Sequence, residues 1–527
     1  MNIEEELVLS PFWQSFFAYL AAMAAIVVLL AILSPWLFRG MTRLFMKIPA
    51  QILMKDPYTE NWIEMFTTTQ KINARILAET MMRAKQGKPP ERPFGSVFIF
   101  SPWEKLLINP TYLFRVPPSH TDPIDTGVVI GPKAKKPLKI GMPIMIAGMS
   151  YGHAVSTPVK IALARASSLV DTAMNTGEGF IEEERREAKH LIMQHTRGTW
   201  RNATQFRPEL YENADAIEIQ IGQGAQAAVP QITRAKNIDE KMREVYGIEP
   251  GKDTWIDGHF QDMRSPEDLK KLVQNLRDRF GVPVGYKLGA TQHLEIELKA
   301  AVDAGVDFIT IDGAEGGTHA ASATICDDVG LPEFYALVRT VDYLKKRGVR
   351  DRVSVLASGG LRTPGEFAKA LALGADAVYI GTIAIMALIA DQTLRAAPDE
   401  PPTQLALNTG KYKDRFDIEK GVLNLQRYLQ AALKEMTEVV QAVGKRSIRE
   451  LDRSDLVALD QEIARFAGVA YAGDPADDNL LKQPSASGEV RKLEVKELDP
   501  KPLQPSQHNG NQKELATTTV SGQEGDS

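Results

Sequence analysis

The chain of 527 residues contains one cysteine, Cys326. A single thiol forms no internal disulfide, zinc finger or cysteine-held iron–sulfur cluster. A basic stripe is also missing, and the net charge of −5 argues against general nucleic-acid binding. The histidines His153, His190, His195, His259, His293 and His319 are scattered over the chain, without the i, i+4 spacing and nearby acid of a zinc site, so no metal is expected. No internal repeat of fixed period is visible. Charge is absent over one stretch, "FFAYLAAMAAIVVLLAILSPWLF", residues 16–38. At about 1.5 Å per helical residue this run crosses a hydrocarbon core of roughly 30 Å. It is preceded by Glu4, Glu5 and Glu6 and followed by Arg39, Arg43 and Lys47, which by the positive-inside rule places the rest of the chain in the cytoplasm. A buried core helix is the competing reading.

Residues 1–15 form a short leading segment and 42–140 an extension with Pro-rich links such as "KPPERPFGS", expected to pack on the body. From about Gly473 to residue 527 the chain is rich in Pro, Ser, Gln and Asn, with little to bury, so a disordered tail is expected. In between, short apolar runs ending in Gly or polar clusters alternate with helical stretches. The runs are 141–150, 171–179, 190–196, 216–224, 282–290, 307–317, 353–360 and 376–382. Eight such runs predict an α/β fold, a (β/α)8 TIM barrel over 141–440, with helices over 441–472 and the active site at the carboxyl ends of its strands. "ASGGLRTPGEFAKALALGADAVYIGT" reads as strand, Gly-Gly turn, helix and strand. Barrels hold a phosphate at these last two loops, so Gly359, Gly360, Gly381 and Thr382 are expected to cradle one. Around a flavin ring, Ala147, Met149 and Ser150 in "AGMS" and Thr176 in "NTGEG" would offer backbone groups. Gln194 and Lys287 are polar residues inside apolar runs. A buried lysine is costly unless it has a use, and Lys287 would stabilise the negative charge of a reduced ring. Glu178 and Asp312 at strand ends would orient substrate or transfer protons. The run "EEERRE" (182–187) reads as a solvated helix face.

"GMSYG" (148–152), "NTGEG" (175–179), "IEIQIGQGA" (217–225), "YKLGA" (286–290), "IDGAEGGTHAA" (311–321) and "SGGLRTPGEFAKALALGADAVYIGT" (358–382) resemble, in order, the FMN-binding synthase domain of the glutamate synthase family. The similarity spans roughly residues 100–440. It implies an FMN barrel reducing 2-iminoglutarate, formed from 2-oxoglutarate and ammonia, to glutamate. By the same resemblance Gly313 and Gly317 join the cofactor contacts, Lys287, Glu178 and Asp312 the catalytic set, and His319 comes near flavin or substrate. Two departures matter. Residues 385–410, where the large members of that family bind an iron–sulfur centre, carry no cysteine, so no cluster is expected. No glutaminase or NAD(P)H domain is expected beside the barrel, which leaves electrons to a separate donor protein or NAD(P)H-linked partner. The family's "IEIK" and "GAKPGEGG" lysines, suited to a dicarboxylate, are replaced by Gln220 and Gln226. Another imine or enone as substrate, or a non-catalytic membrane-tethered flavin sensor, are the alternatives. A thiolate role for Cys326, as in inosine-phosphate-dehydrogenase-like barrels, competes with a small buried side chain. A homo-oligomer is left open.

Overall fold

The computed structural model describes residues 11–53, 70, 72–90, 95–198, 211–318 and 321–475. The expected tail beyond Pro475, His319 and most of residues 1–15 lie outside the described residues.

Each of the eight expected runs contains one strand of a closed parallel barrel. The strands, in sequence order, are β1 (Ile144–Ile146), β2 (Ala173–Asn175), β3 (His190–His195), β4 (Ala216–Gln220), β5 (Val284–Gly289), β6 (Phe308–Asp312), β7 (Ser354–Ser358) and β8 (Ala377–Ile380). Closure is made by β8 on β1, with Val378 opposite Ile144 and Ile380 opposite Ile146. Side chains alternate across each strand. In β4 the outward Ile217 and Ile219 join the large core between strands and helices, while Ala216 belongs to the cluster inside the barrel. Glu218 and Gln220, at the same parity as Ala216, therefore face inward and upward.

The barrel's amino end is stoppered by part of the extension. The antiparallel pair Val128–Ile130 and Leu138–Ile140 buries Val128, Ile130, Leu138 and Ile140 against Met145, Ala173, Ile192, Phe308 and Leu356. The amino end of the barrel is thus closed by apolar side chains. On the outside, the long helix Ile418–Ala442 packs on the helix Thr157–Leu169 that follows β1.

The segment 441–472 differs from the helices expected there. It holds one regular helix, Gln461–Ala467, and two short strands. Leu456–Ala458 pairs antiparallel with Leu106–Ile108 and parallel with Ala470–Tyr471. Extension and carboxyl end thus share one small sheet, a long-range pairing that no local pattern specifies.

The first helix runs Pro11–Leu53, well past the apolar run at residues 16–38. The apolar run marks only the uncharged part of the helix, which continues through Arg39, Arg43 and Lys47 and includes Pro35, Gly40 and Pro49. Within it, Trp13–Lys47 is long and apolar enough to cross a membrane, with a mean hydropathy of 2.8 over its most apolar window and none of that window buried. The core-helix reading is therefore set aside: Tyr19, Trp36 and Phe38 are about three-quarters exposed, at 75%, 74% and 74%.

Candidate active site at the carboxyl end of the barrel

Inside the barrel the polarity changes with height. Above the apolar stopper, the buried Glu218 carboxylate accepts hydrogen bonds from Asn175 Nδ2 (2.7 Å), Gln194 Nε2 (2.9 Å) and Thr310 Oγ1 (2.7 Å). Asn175 Nδ2 also lies 3.2 Å from the Tyr379 hydroxyl. Four strands thereby converge on one carboxylate, which satisfies a charge that would otherwise be prohibitively buried. Gln194, expected at the cofactor, has its Nε2 on this floor. Glu218 itself was missed, although the period-2 alternation of "AIEIQ" already sets it on the inner face.

One layer higher stand the three expected catalytic residues. Lys287 Nζ lies 3.1 Å from Asp312 Oδ2, and Ser358 Oγ donates to Asp312 Oδ1 at 3.1 Å. Burial acts to lower the lysine's pKa, but the Asp312 carboxylate and, behind it, Glu218 outweigh that and hold it above the ordinary value. The Asp312 partner thus favours the charged form of Lys287. Glu178 is buried on the β2 loop and accepts from Gln220 Nε2 at 3.0 Å, while its own N–H donates to Ser150 Oγ at 3.1 Å. Burial pushes its carboxyl above the usual range, only partly offset by Arg197 and Lys287. A carboxyl whose burial favours the protonated form is a candidate proton donor.

The loops after β1 and β2 touch back to back. Gly177 has φ +67°, and a Cβ there would stand 2.7 Å from Ser150 N; at Gly148 it would stand 2.7 Å from Asn175 Oδ1. Behind both loops Lys160, fully buried in the helix Thr157–Leu169, donates to Met149 O (3.0 Å) and Thr176 O (2.8 Å) and pairs with Glu184 at 2.5 Å. The run "EEERRE" is therefore not wholly a solvated face: Glu184 has no exposure and fixes Lys160. Thr176 Oγ1 accepts from Gln194 N at 3.0 Å, and Ala147 N donates to Ile380 O at 2.9 Å, so both are fixed in the sheet's upper edge.

Opposite lie the glycines expected at a phosphate. Gly360 (φ +77°) and Gly381 are partly exposed at the rim, and Gly381 precedes the helix Thr382–Leu388, whose first amides have no intrahelical acceptor. A Cβ on Gly317 would stand 2.9 Å from Thr382 Oγ1, so the β6 and β8 loops meet here. Gly313 and Gly359 sit deeper. A Cβ on Gly359 would lie 2.5 Å from Gly313 N, and that amide already donates to Ser358 O at 2.8 Å. Their lack of side chains serves the packing of one loop on the next. Cys326 is buried with its Sγ toward Ala225 O, and burial lifts its thiol to about 11, which leaves it a packing residue rather than a thiolate nucleophile.

Arg197, just beyond β3, was not anticipated. Its Nε donates to Gln220 Oε1 at 3.3 Å, which completes a chain Arg197–Gln220–Glu178 across three strands. No periodic signal marks it, because it stands after the strand has ended.

Comparison with known proteins gives the family. The profile described as the conserved region in glutamate synthase matches residues 119–446. A glutamate synthase large subunit-like protein of Rhizobium meliloti (strain 1021) is 31% identical over 421 residues, covering 75% of this chain and 93% of that one. An archaeal-type glutamate synthase [NADPH] of Thermotoga neapolitana is 33% identical over 345 residues, 64% of this chain and 67% of its own length. The archaeal glutamate synthase [NADPH] of Archaeoglobus fulgidus is 36% identical over 344 residues, 64% and 66% of the two chains. With a profile match that runs through all eight strands and the loops above them, the chain belongs to the glutamate synthase family, a family of oxidoreductases.

Proposed function

We propose that this chain is a membrane-anchored, FMN-dependent oxidoreductase that reduces the imine of a 2-oxo acid to an amino acid, with electrons from a separate donor protein or NAD(P)H-linked partner. The observation that carries it is the pairing, in one barrel mouth, of a glycine-lined rim with a buried Lys287–Asp312 pair and a buried Glu178 held by Gln220. The rim fits a phosphate. Gly360 and Gly381 leave the backbone bare, and the first amides of the helix Thr382–Leu388 add donors. FMN, when bound, would supply a hydride to the imine carbon.

The chain's own residues do the rest. Lys287 supplies a fixed positive charge where negative charge accumulates, without reorganisation cost. Asp312, braced by Ser358, keeps that ammonium in place. Glu178 gives its proton to the imine nitrogen, and Gln220 orients it. The stopper and the Glu218 floor close the barrel from below, and burial strengthens each of these interactions.

Two tests follow. The purified protein should carry one FMN per chain by absorbance, without stoichiometric iron, and the reduced protein should be reoxidised by a 2-oxo acid plus ammonia but not by the acid alone. Gly360→Val should lose the flavin. At φ +77° a β-branched residue is strained, and its Cβ would meet Glu315 Cβ at 2.5 Å. A fully flavin-loaded variant would remove the rim from the cofactor site. For the membrane, the full-length chain should resist alkaline carbonate extraction and need detergent, while deletion of residues 1–53 releases a soluble flavoprotein. Extraction of the full-length chain by carbonate alone would refute the anchor.

A further inference from the structure

We propose that Arg197 is the carboxylate clamp for the substrate, and that the described residues of the mouth offer one anion site rather than two, which favours a 2-oxo monocarboxylate over a dicarboxylate. The inference rests on the functional reading above and deepens it. Arg197 is 3% exposed. Its Nε is held by Gln220 Oε1 and its Nη1 by Gly258 O at 3.2 Å. Its Nη2 is buried and has no acceptor among the described residues. A guanidinium is never neutral, and its two terminal nitrogens match a carboxylate in a bidentate fork. A buried cationic N–H without an acceptor is unfavourable enough that an anion from outside is its natural partner.

Its surroundings decide how many anions fit. Lys287, the neighbour of Gln220 in the β5–β4 register, already faces Asp312 and is not free to hold a second carboxylate. The carboxylates that reach Arg197 electrostatically are Glu178 and Asp257. Burial drives Glu178 toward its neutral form, so it cancels the guanidinium only in part. On the far side the loop after β4 offers amides alone. Gln223 Nε2 donates to Gln226 Oε1 at 2.8 Å, and Gln226 Nε2 to Gln231 Oε1 at 3.2 Å. The closest following cation, Arg234, is turned to Asp253 at 2.7 Å. An amide chain suits a neutral or weakly polar tail, and among the described residues it gives a second carboxylate no countercharge.

The test uses the full-length, FMN-loaded protein in detergent, with flavin occupancy checked by absorbance. Calorimetric titration with 2-oxobutyrate and 2-oxoglutarate gives Kd for the wild type and for Arg197→Gln, Arg197→Lys and Gln226→Lys. The wild type should bind 2-oxobutyrate at least as tightly as 2-oxoglutarate. Arg197→Gln should weaken 2-oxobutyrate by about thirtyfold or more, as loss of a buried charged partner does, with FMN retained. Arg197→Lys should recover part of that loss, and Gln226→Lys should shift the preference toward 2-oxoglutarate about tenfold. If Arg197→Gln arrives without flavin, the lysine variants alone decide. Binding indifferent to Arg197, or tenfold tighter binding of 2-oxoglutarate by the wild type, overturns the clamp while leaving the oxidoreductase reading intact. A flavin-loaded wild type that binds neither acid overturns both.

Discussion

Lys287→Met is expected to lower the two-electron potential of the bound flavin by about 40–90 mV while FMN stays in place. The estimate takes roughly 2–4 kcal/mol for one preorganised charge in a water-poor site, converted at about 30 mV per 1.4 kcal/mol for a two-electron couple. Methionine keeps most of the volume, and the rim glycines that would hold the phosphate are on the opposite loops. The ion pair adds a second arm. With the lysine gone, Asp312 is buried without its cation, and its negative charge works in the same direction. Asp312→Asn should therefore raise the potential, the opposite sign, because it leaves the ammonium unopposed. Spectroscopic redox titration of the wild type and both variants reads this directly. Shifts of the same sign in both, or none with full FMN occupancy, would mean that the pair does not face the ring.

Removing Lys160 should cost more in stability than any other single change at this end of the barrel. The lysine and Glu184 are both without exposure, and the same ammonium ties the β1 and β2 loops together through Met149 O and Thr176 O. Lys160→Met leaves Glu184 buried alone, for which about 3–5 kcal/mol is expected. The loss should depend on pH. Burial already raises Glu184 to about 7 even with Lys160 beside it. A carboxyl whose folded pKa lies above its unfolded one stabilises fully below the unfolded value and loses that contribution as pH rises through the folded one. The variant's deficit should thus be smaller near pH 5 and grow through pH 7 and above. Thermal melts of the detergent-solubilised protein across this range test it, with wild type in parallel. A deficit under about 1 kcal/mol, or one that shrinks as pH rises, would show that the loops do not depend on Lys160.

Much of the architecture could be read from the chain itself, because its determinants are local. Eight short apolar runs punctuated by glycine can bury both faces only as parallel strands covered by helices, and all eight strands form where those runs lie. Lys287, Asp312 and Glu178 stand out in the sequence because a polar residue in an otherwise apolar run is conspicuous, and the structure pairs Lys287 with Asp312 and sets Glu178 within electrostatic reach of Lys287. Glu218 was legible in principle by the same alternation.

What the sequence by itself determined, then, was the barrel and the uncharged run before it. Tertiary structure alone decided which polar groups meet. Lys160 and Glu184 are 24 positions apart, on helices after different strands, and each reads as an ordinary surface charge until packing removes both from water. The extension's hairpin stoppers a barrel that begins after it, and Leu106–Ile108 finds its partner some 350 residues later. Arg197 gains its meaning only from Gln220 on the next strand. Strand and helix formation follow from periodicities within a dozen residues, whereas charge pairing in a closed barrel depends on which strand ends the fold sets side by side.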